Sequence, residues 1–460
     1  MKPKSSKQKC NNMQKCINKP GMCLALCIAC AFVLFSDRAG AYGEVIGSVT
    51  GAEYTEVADA FDEDFDDVFD IYIKVGYERS LRKWMIRREN ARSSDIKDTD
   101  WVGYDDYASA YQIQDLLNLE VDVGLYMDLQ FVIRIPLILN DQRGLRNLGP
   151  KNPWNAYNQP GLFSIPFTSP DRSGIDYFAV GLDWAPLNQE RDDTKPTWVI
   201  SAEGRFGVGE DMKPACSSKM VATGACPSGT STGGGGVGRG LNEVYIGTRI
   251  ARRMGIFNPF VGLGTLLGFA KKGTAYHVDK GTNWGAINTM PPIQGQLDFG
   301  IEFVPWEVPE DYRKFSLGIL LNTTYHSEGR EYTPLFDALG TSDSKAIVGG
   351  DYDDNGKVED WEREYSGMTD VENYTTFHGT LFFNIQVAEY IKFLLDLGFG
   401  HEQEHFITKT DQCDEDNQLK GGGCSNPNHD FRPSIDAVGQ RFRAEAGTIF
   451  DFSITAVAMF

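Results

Sequence analysis

An alternation of apolar and polar residues, repeated along most of the chain, constrains the fold more than any other feature of the sequence. Residues 117–127 (LNLEVDVGLYM) place leucine, valine and methionine at every second position, with asparagine, glutamate and aspartate between them. Residues 296–303 and 450–455 follow the same rule. Because successive side chains of a β-strand point to opposite sides, this period of two predicts strands with one apolar and one polar face.

Segments of this kind predict twelve strands, whose connections alternate between long and short. The long connections, rich in glycine and aspartate, span 88–114, 140–173, 211–241, 272–291, 329–373 and 405–440. The predicted strands cover residues 69–87, 115–127, 128–139, 174–187, 197–210, 242–253, 257–271, 292–306, 314–328, 374–388, 391–404 and 441–460. Membrane β-barrels sort their connections in this way, with short turns at one end and long loops at the other.

A transmembrane antiparallel β-barrel of about twelve strands, an all-β fold, also explains the composition. Hydrophobic residues make up 41% of the 460, and the formal net charge is −20. A single run near the N-terminus approaches the roughly 20 apolar residues of a membrane helix, which excludes a polytopic helical protein. The acidity disfavours nucleic acid as a partner. The all-β alternative, a secreted sandwich or propeller, gives no reason for loops sorted by length.

The first 41 residues have the layout of a secretion signal. Six lysines precede residue 20, an apolar stretch spans 21–35, and the small residues Ala39, Gly40 and Ala41 follow. We expect cleavage after Ala41. The next segment, 42–68, ends in the acidic run FDEDFDD and predicts an acidic periplasmic extension, so the barrel occupies residues 69–460.

The signal sequence, the even number of strands, the sorted loops and a last strand that ends at Phe460 together resemble bacterial outer-membrane β-barrel proteins of the porin-like class. The resemblance covers residues 69–460. It implies an outer-membrane location, contact with outer-membrane lipid, and insertion by the barrel-assembly machinery, for which the terminal aromatic strand looks like the recognition signal. It implies no particular substrate and leaves the oligomeric state open.

The four cysteines that follow the signal form two close pairs, Cys216 with Cys226 and Cys413 with Cys424. Both pairs lie in loop-like sequence and lack the CxxC spacing of a zinc site. In an exported chain such pairs predict disulfides that staple the loops.

The longest loop, 329–373, contains a calcium-binding pattern. Residues 351–362 (DYDDNGKVEDWE) match the spacing of the EF-hand loop, which supplies oxygen ligands at fixed positions around a sharp glycine turn. No clear helix precedes the pattern, and a solvated acidic turn is the alternative. The predicted structural Ca²⁺ ligands are Asp351, Asp353, Asn355, Lys357 through its carbonyl, Glu359 and Glu362.

The alternation also predicts which charged residues face the barrel interior. Both signs are present with acids in excess, so the chain is expected to be a channel for small hydrophilic solutes with a preference for cations, which neutralising Glu120, Asp122 and Asp298 would reduce. The main alternatives are ion pairs that only hold the barrel closed and a non-conducting adhesin or partner-binding platform. The predicted pore-lining residues are Glu120, Asp122, Arg134, Asp183, Glu203, Arg205, Arg249, Asp298, Glu302, Asp396, Arg443 and Asp451.

Two motifs suggest enzymatic chemistry, and neither fits a strand. His401 to His405 match the zinc-protease pattern HExxH, which requires a helix to bring both histidines to one metal. His326 and Ser327 are adjacent, so in a regular strand they point to opposite faces and form no catalytic pair. A hydrolase is therefore the least favoured alternative, and we expect no enzyme activity.

Overall fold

The computed structural model describes residues 54–60, 70–91, 102–148, 161–224, 226, 233, 235–276, 288–348, 365–412, 428 and 430–460. These residues form a closed barrel of twelve antiparallel strands, in which each strand pairs with its neighbours in the chain and the last pairs with the first. The strands are β1 (Ile71–Ala91), β2 (Val102–Tyr126), β3 (Leu129–Arg146), β4 (Tyr177–Leu187), β5 (Thr197–Gly207), β6 (Leu241–Ala251), β7 (Phe257–Ala270), β8 (Gln294–Val308), β9 (Arg313–His326), β10 (Tyr374–Ala388), β11 (Ile391–Glu402) and β12 (Phe442–Met459).

The predicted fold class is confirmed, and most predicted strand limits agree with the observed ones to within a few residues. The short connections, the start of β1 and the end of β12 lie at one end of the barrel, the short-turn end, and the long connections lie at the other, the long-loop end. The main difference is β2, which begins at Val102 and not at 115. Its first half lacks an apolar lipid face because it extends beyond the apolar belt, and its buried Ala108 and Ala110 pack against loop residues.

The outer face of the barrel is apolar and exposed, as a surface in contact with lipid must be. Aromatic side chains mark its two edges, as in membrane barrels. Those toward the short-turn end are Tyr126, Trp184, Phe257, Trp306, Tyr312 and Tyr390, and those toward the long-loop end are Phe178, Phe206, Phe269, Tyr325 and Phe377. The aliphatic belt between them includes Leu119, Leu182, Ile246, Leu263, Ile301, Ile319 and Ile454.

The described parts of the long loops fold into a layer over the long-loop end, which we call the cap: residues 161–176, 208–224, 235–240, 271–276, 327–348, 365–373, 403–412 and 430–441. It contains the short helices α1 (Ser218–Ala222), α2 (Phe336–Gly340) and α3 (Pro433–Asp436). None of the helices in the described part of the chain is long and apolar enough to cross a membrane.

The cap has its own hydrophobic core. Residues of four different loops contribute to it, together with residues of β1, β2, β3 and β12 near the long-loop end. Its members include Trp84, Ile86, Leu145, Leu162, Phe167, Met220, Leu335, Leu339, Ile347, Tyr365, Ile407, Ile435 and Phe442. Two buried ion pairs join loops to one another: Arg172 binds Asp337 with contacts of 2.6 and 3.0 Å, and Arg330 lies 2.6 Å from Asp430. The cap is therefore a packed structure that continues the barrel wall.

Candidate functional site: the barrel interior

Residues 54–60 enter the barrel from the short-turn end, and we call them the stopper. Tyr54 is 4% exposed and donates a hydrogen bond of 2.9 Å from its hydroxyl to Asp298. Burial, followed by the charge of Asp298, raises the pKa of the Tyr54 phenol, which keeps the donated proton in place. Ala58 is fully buried, and its amide donates to the side-chain carbonyl of Gln130. This segment of the predicted periplasmic extension therefore lies inside the barrel.

The stopper completes an apolar layer across the lumen. The Tyr54 ring stacks on Phe260 with ring centroids 4.3 Å apart. Inward-facing residues of other strands join this cluster, namely Ala251, Leu320, Phe382, Leu394 and Val457. An apolar layer inside a narrow barrel excludes water and ions because their desolvation is costly. The layer brings apolar side chains from the stopper and from several strands together inside the lumen near the short-turn end.

Two inward-facing glycines leave the space that the stopper occupies. A Cβ on Gly124 would lie 1.8 Å from the carbonyl oxygen of Asp59, and one on Gly262 would lie 1.9 Å from the Tyr54 hydroxyl. The backbone of the stopper is also tied to the barrel, since Ala60 and Met127 exchange two hydrogen bonds. The barrel wall is thus shaped to receive this segment.

A network of ion pairs lines the inner wall of the barrel, at mid-height, from β1 to β5. Arg134 joins Glu120 at 2.6 Å to Glu203 at 2.7 Å, and Arg205 continues the chain from Glu203 at 2.8 Å. Lys74 lies within 3.1 Å of Glu120 and 2.9 Å of Asp122. Buried charges of this kind hold adjacent strands together when each is paired, and the pairing reduces the net field that a passing ion would experience.

A cavity of about 350 Å³ lies inside the barrel between the stopper layer and the cap. Its floor includes Leu320 and Leu394, and its roof includes Tyr276, Tyr332 and Pro334 from the cap. The wall between them mixes charged, amide and hydroxyl groups with apolar surface, and its residues include members of β1, β2, β9, β10 and β12. We call this cavity the chamber. Its volume is in the range of small-molecule sites.

A group of aromatic and charged side chains lies at the edge of the chamber next to the cap. Tyr374 is stacked between His326 and His405, with centroid separations of 4.3 and 3.9 Å. Glu402 accepts a 2.7 Å hydrogen bond from the indole nitrogen of Trp84 and lies 3.6 Å from Arg82. Burial lowers the pKa of His405, so this ring is neutral at physiological pH. These contacts connect the cap to β1, β9, β10 and β11.

Eleven of the twelve predicted pore-lining residues lie on the inner face of the barrel. Eight are buried: Glu120, Asp122, Arg134, Glu203, Arg205, Arg249, Asp298 and Glu302. The other three have inward contacts: Asp183 pairs with Arg249, Asp396 accepts from Ser453, and Asp451 accepts from His378. The lumen side of most predicted positions therefore follows from alternation alone.

The inward assignment of Arg443 requires correction. A bulge between the Lys83 and Met85 pairings of β1 and β12 reverses the phase of alternation in the first residues of β12. Phe442 and Ala444 are consequently the residues buried in the cap core, and Arg443 lies on the opposite face, where it pairs with Glu404 at 2.5 Å. A bulge adds a residue without altering composition, so the sequence pattern did not reveal it.

The loop predictions have different outcomes. The Cys216–Cys226 disulfide is present in the cap. Cys413, Cys424 and all six predicted calcium ligands lie outside the described residues. In the part of the chain that the structure describes, no cluster of three or more His, Cys, Asp or Glu side chains is arranged to hold a metal ion.

Within each of the two enzyme-like motifs, the structure keeps the residues apart. His401 is exposed on β11, whereas His405 is buried beside Tyr374 in a separate short strand. His326 stacks on Tyr374, while the hydroxyl of Ser327 accepts from the amide of Ile293. His326 and His405 both pack against the ring of Tyr374.

The functional element that the sequence prediction missed is the stopper. Tyr54, Val57, Ala58 and Ala60 are small or apolar residues within an acidic segment. That contrast was the available signal, because a fully solvated extension has no need for them.

No family model matches the sequence, and no curated protein matches it. Among solved structures, an outer membrane channel from Pseudomonas putida F1 is 10% identical, with 90% of this chain and 100% of that chain covered, at a TM-score of 0.41. A Pseudomonas aeruginosa FadL homologue is 10% identical, with 85% and 90% covered, at 0.31. The P. putida toluene transporter TodX is 9% identical, with 85% and 90% covered, at 0.26.

At these identities and TM-scores we draw no functional conclusion from the likeness. The closed twelve-stranded barrel, with the apolar belt on its outer face, places this chain in the class of outer-membrane β-barrel proteins, as the sequence predicts. No narrower family is assigned.

Proposed function

We propose that this protein is a channel for small hydrophilic solutes in the bacterial outer membrane, closed in the state described here. The observation that carries the proposal is a chamber of about 350 Å³ inside a membrane barrel, with many charged, amide and hydroxyl side chains in its lining, bounded on one side by a segment that is not part of the barrel wall. A barrel that served only as an anchor would have no need for a lumen with space in it, because eight strands can be filled by side chains alone.

The closed state follows from the stopper. Residues 54–60 are held by a few hydrogen bonds, one aromatic stack and the ion pair between Glu56 and Lys392. Such a segment can leave the lumen without any barrel strand unpairing. In this proposal the short-turn end faces the periplasm and the cap faces the outside, with the signal sequence removed during export.

We expect the open channel to discriminate only weakly by charge. The sequence-based expectation of a cation preference depends on the excess of inward acids. The acids named for that test are engaged, since Glu120 and Asp122 contact Lys74, and Asp298 accepts from Tyr54 and Asn322. Paired charges contribute less to the potential along the pore than free ones.

Conductance of the purified full chain in planar bilayers tests the proposal. The wild type should show rare openings, and Tyr54→Ala should raise the open probability modestly, because it removes the stack on Phe260 and the hydrogen bond to Asp298. Tyr126→Ala is the matched control, since Tyr126 is 58% exposed on the outer face. Folded protein that never conducts, with or without Tyr54, would favour a surface adhesin or partner-binding platform.

We further propose that Ca²⁺ binds Asp351, Asp353, Asn355, Lys357, Glu359 and Glu362 and stiffens the longest loop, and that a Cys413–Cys424 disulfide does the same for the last one. The sequence spacing supports both. Isothermal titration of wild type, Asp351→Ala and Glu362→Ala measures the first, and uptake that is unchanged in the variants would place calcium elsewhere. Mass mapping of the oxidised protein tests the second.

A further inference from the structure

The charged and the uncharged polar side chains that line the chamber differ in whether they already have hydrogen-bond or ion-pair partners. The charged side chains that line it are engaged with other charges or hydrogen-bonding groups. Arg239, for example, lies 2.9 Å from Asp176 and 3.1 Å from Glu243. Arg82 pairs with Glu402, and the Lys74–Arg134–Arg205 network described above covers the rest of that side. A charged solute entering the chamber would lose hydration without gaining a free counter-charge.

Glu331 in the cap is the exception among the lining acids of the described chain, because it has no cation within ion-pair distance. Burial, followed by the charge of Glu402, raises the pKa of Glu331 to about 7. A substantial fraction of this carboxyl is therefore neutral near physiological pH and can donate a hydrogen bond.

Several uncharged polar side chains of the chamber, in contrast to the paired charged ones, have no side-chain partner in the part of the chain that the structure describes. Five of them line the chamber and, within the described residues, have no side-chain hydrogen-bond partner: Gln114, Asn118, Gln294, Thr376 and Thr455. Amide and hydroxyl side chains each offer both a donor and an acceptor. Asn118 and Thr455 lie at the same height on either side of Gly76, which is paired with both. These groups form a hydrogen-bonding surface without net charge.

Aromatic rings accompany that surface. Tyr177 is on the wall of the chamber, and Tyr276 and Tyr332 are on its roof. Rings of this kind provide apolar contact area while their polar atoms remain available. A sugar ring matches this combination because it carries hydroxyl groups around its rim and C–H groups on its faces.

We propose that the chamber is a binding site for uncharged polyhydroxylated solutes, of the size of a mono- or disaccharide. This inference rests on the proposed channel function and specifies its solute class. Gln114, Asn118, Gln294, Thr376 and Thr455 supply the hydrogen bonds, and the tyrosines supply the contact with the ring faces.

Isothermal titration in detergent tests the site with four probes: maltose, glucuronate, protonated glucosamine and toluene. The titrations use the wild type and Tyr54→Ala, so that a closed lumen does not hide the site. At pH 6, where Glu331 is mostly neutral, maltose should bind, and the two charged sugars should bind at least about tenfold more weakly, since each must bury an unpaired charge. Equal or tighter binding of a charged sugar or of toluene, or no maltose binding to Tyr54→Ala, would overturn the proposal.

Isosteric substitutions localise the site. Thr376→Val combined with Asn118→Leu removes two of the unpaired groups and should weaken maltose binding by about tenfold, as expected for two lost hydrogen bonds. Thr375→Val is the control, because Thr375 neighbours Thr376 in β10 but lies on its other face. If the control weakens binding as much as the double variant, the site is not the chamber.

These titrations are independent of transport. Maltose binding by a protein that never conducts would support the proposed binding site and contradict the proposed channel function. Conduction with no preference for maltose over the charged sugars would retain the channel and reject the solute class.

Discussion

At the scale of single residues, Gly124 determines whether the stopper can occupy the lumen. A methyl group there would meet the backbone carbonyl of Asp59 at 1.8 Å, and a backbone atom cannot move aside as a flexible side chain can. We expect Gly124→Ala to displace residues 54–60 and to expose them to proteolysis from the short-turn end. Gly295→Ala is the control, because nothing lies within 4 Å of its added Cβ. Equal protease resistance of both variants would contradict the assignment.

Asp436 gives the cap a pH dependence that can be measured. Burial raises the pKa of Asp436 to about 8 and that of Asp370 to about 6, although both are near 3.8 in an unfolded chain. Acids with raised pKa bind more protons in the folded state, so their stabilising effect is complete below about pH 4 and is lost as the pH rises toward 8. Protection factors from hydrogen exchange in residues 403–412 and 430–441 should fall over that interval.

Asp436→Asn is the matched variant for this prediction. An asparagine carries no charge, yet its oxygen can still accept from the amide of Thr410 or Arg432. The decline in protection should become shallower in Asp436→Asn. Protection that rises between pH 4 and 8 in the wild type would show that carboxylates with lowered pKa values dominate the cap.

At the scale of elements, the cap depends on ion pairs that are buried between its loops. Arg172 and Asp337 are 1% and 4% exposed, and Arg172→Met would leave a buried carboxylate whose remaining partner among the described residues is the amide of Ala215. Loss of one member of such a pair costs about 3–5 kcal/mol. We expect rapid proteolytic cleavage near α2 in this variant, while the barrel stays intact.

Arg313→Met is the control for the cap prediction. Arg313 and Asp311 are each 54% exposed at the short-turn end, and an exposed pair contributes only about 0–1 kcal/mol. Its protease pattern should match that of the wild type. If both variants are cleaved alike, the buried pair does not hold the cap.

The contrast between strands and loops explains how much of this fold could be predicted from sequence. Barrel strands can be recognised from local sequence, because residues that face lipid are apolar and the adjacent residues that face the lumen are polar. The predicted limits of β8 and β10 therefore agree with the structure to within a few residues. The cap and the stopper are held by contacts between distant parts of the chain, such as Tyr54 with Asp298. Their residues have no period, and their partners are known only once the barrel has closed.

The same reasoning applies to the candidate site. Inward-facing charges such as Glu203 were predicted because they alternate with apolar neighbours. Whether each is paired or free depends on register, which sets Glu120 opposite Arg134. The sequence therefore predicted a charged lumen, and the structure shows that the unpaired groups in the chamber are mainly uncharged amides and hydroxyls.

At the scale of the whole molecule, the proposed channel has two barriers in series along one lumen, the stopper and the cap. The chamber lies between them, so a solute must pass both, and the total resistance is the sum of the two. Removing one barrier leaves the resistance of the other. Conductance should therefore increase modestly in Gly124→Ala, which displaces the stopper, and modestly in Arg172→Met, which loosens the cap.

The double variant should conduct more than the sum of the two single increases, because both resistances then fall together. Single-channel recordings of wild type, both single variants and the double variant measure this directly, with the exposed-pair variant Arg313→Met as the background. Strictly additive increases would mean that the stopper and the cap close separate routes. A full opening in Arg172→Met alone would mean that the stopper leaves the lumen unaided, and the apolar layer around Tyr54 would then not be the barrier at the short-turn end.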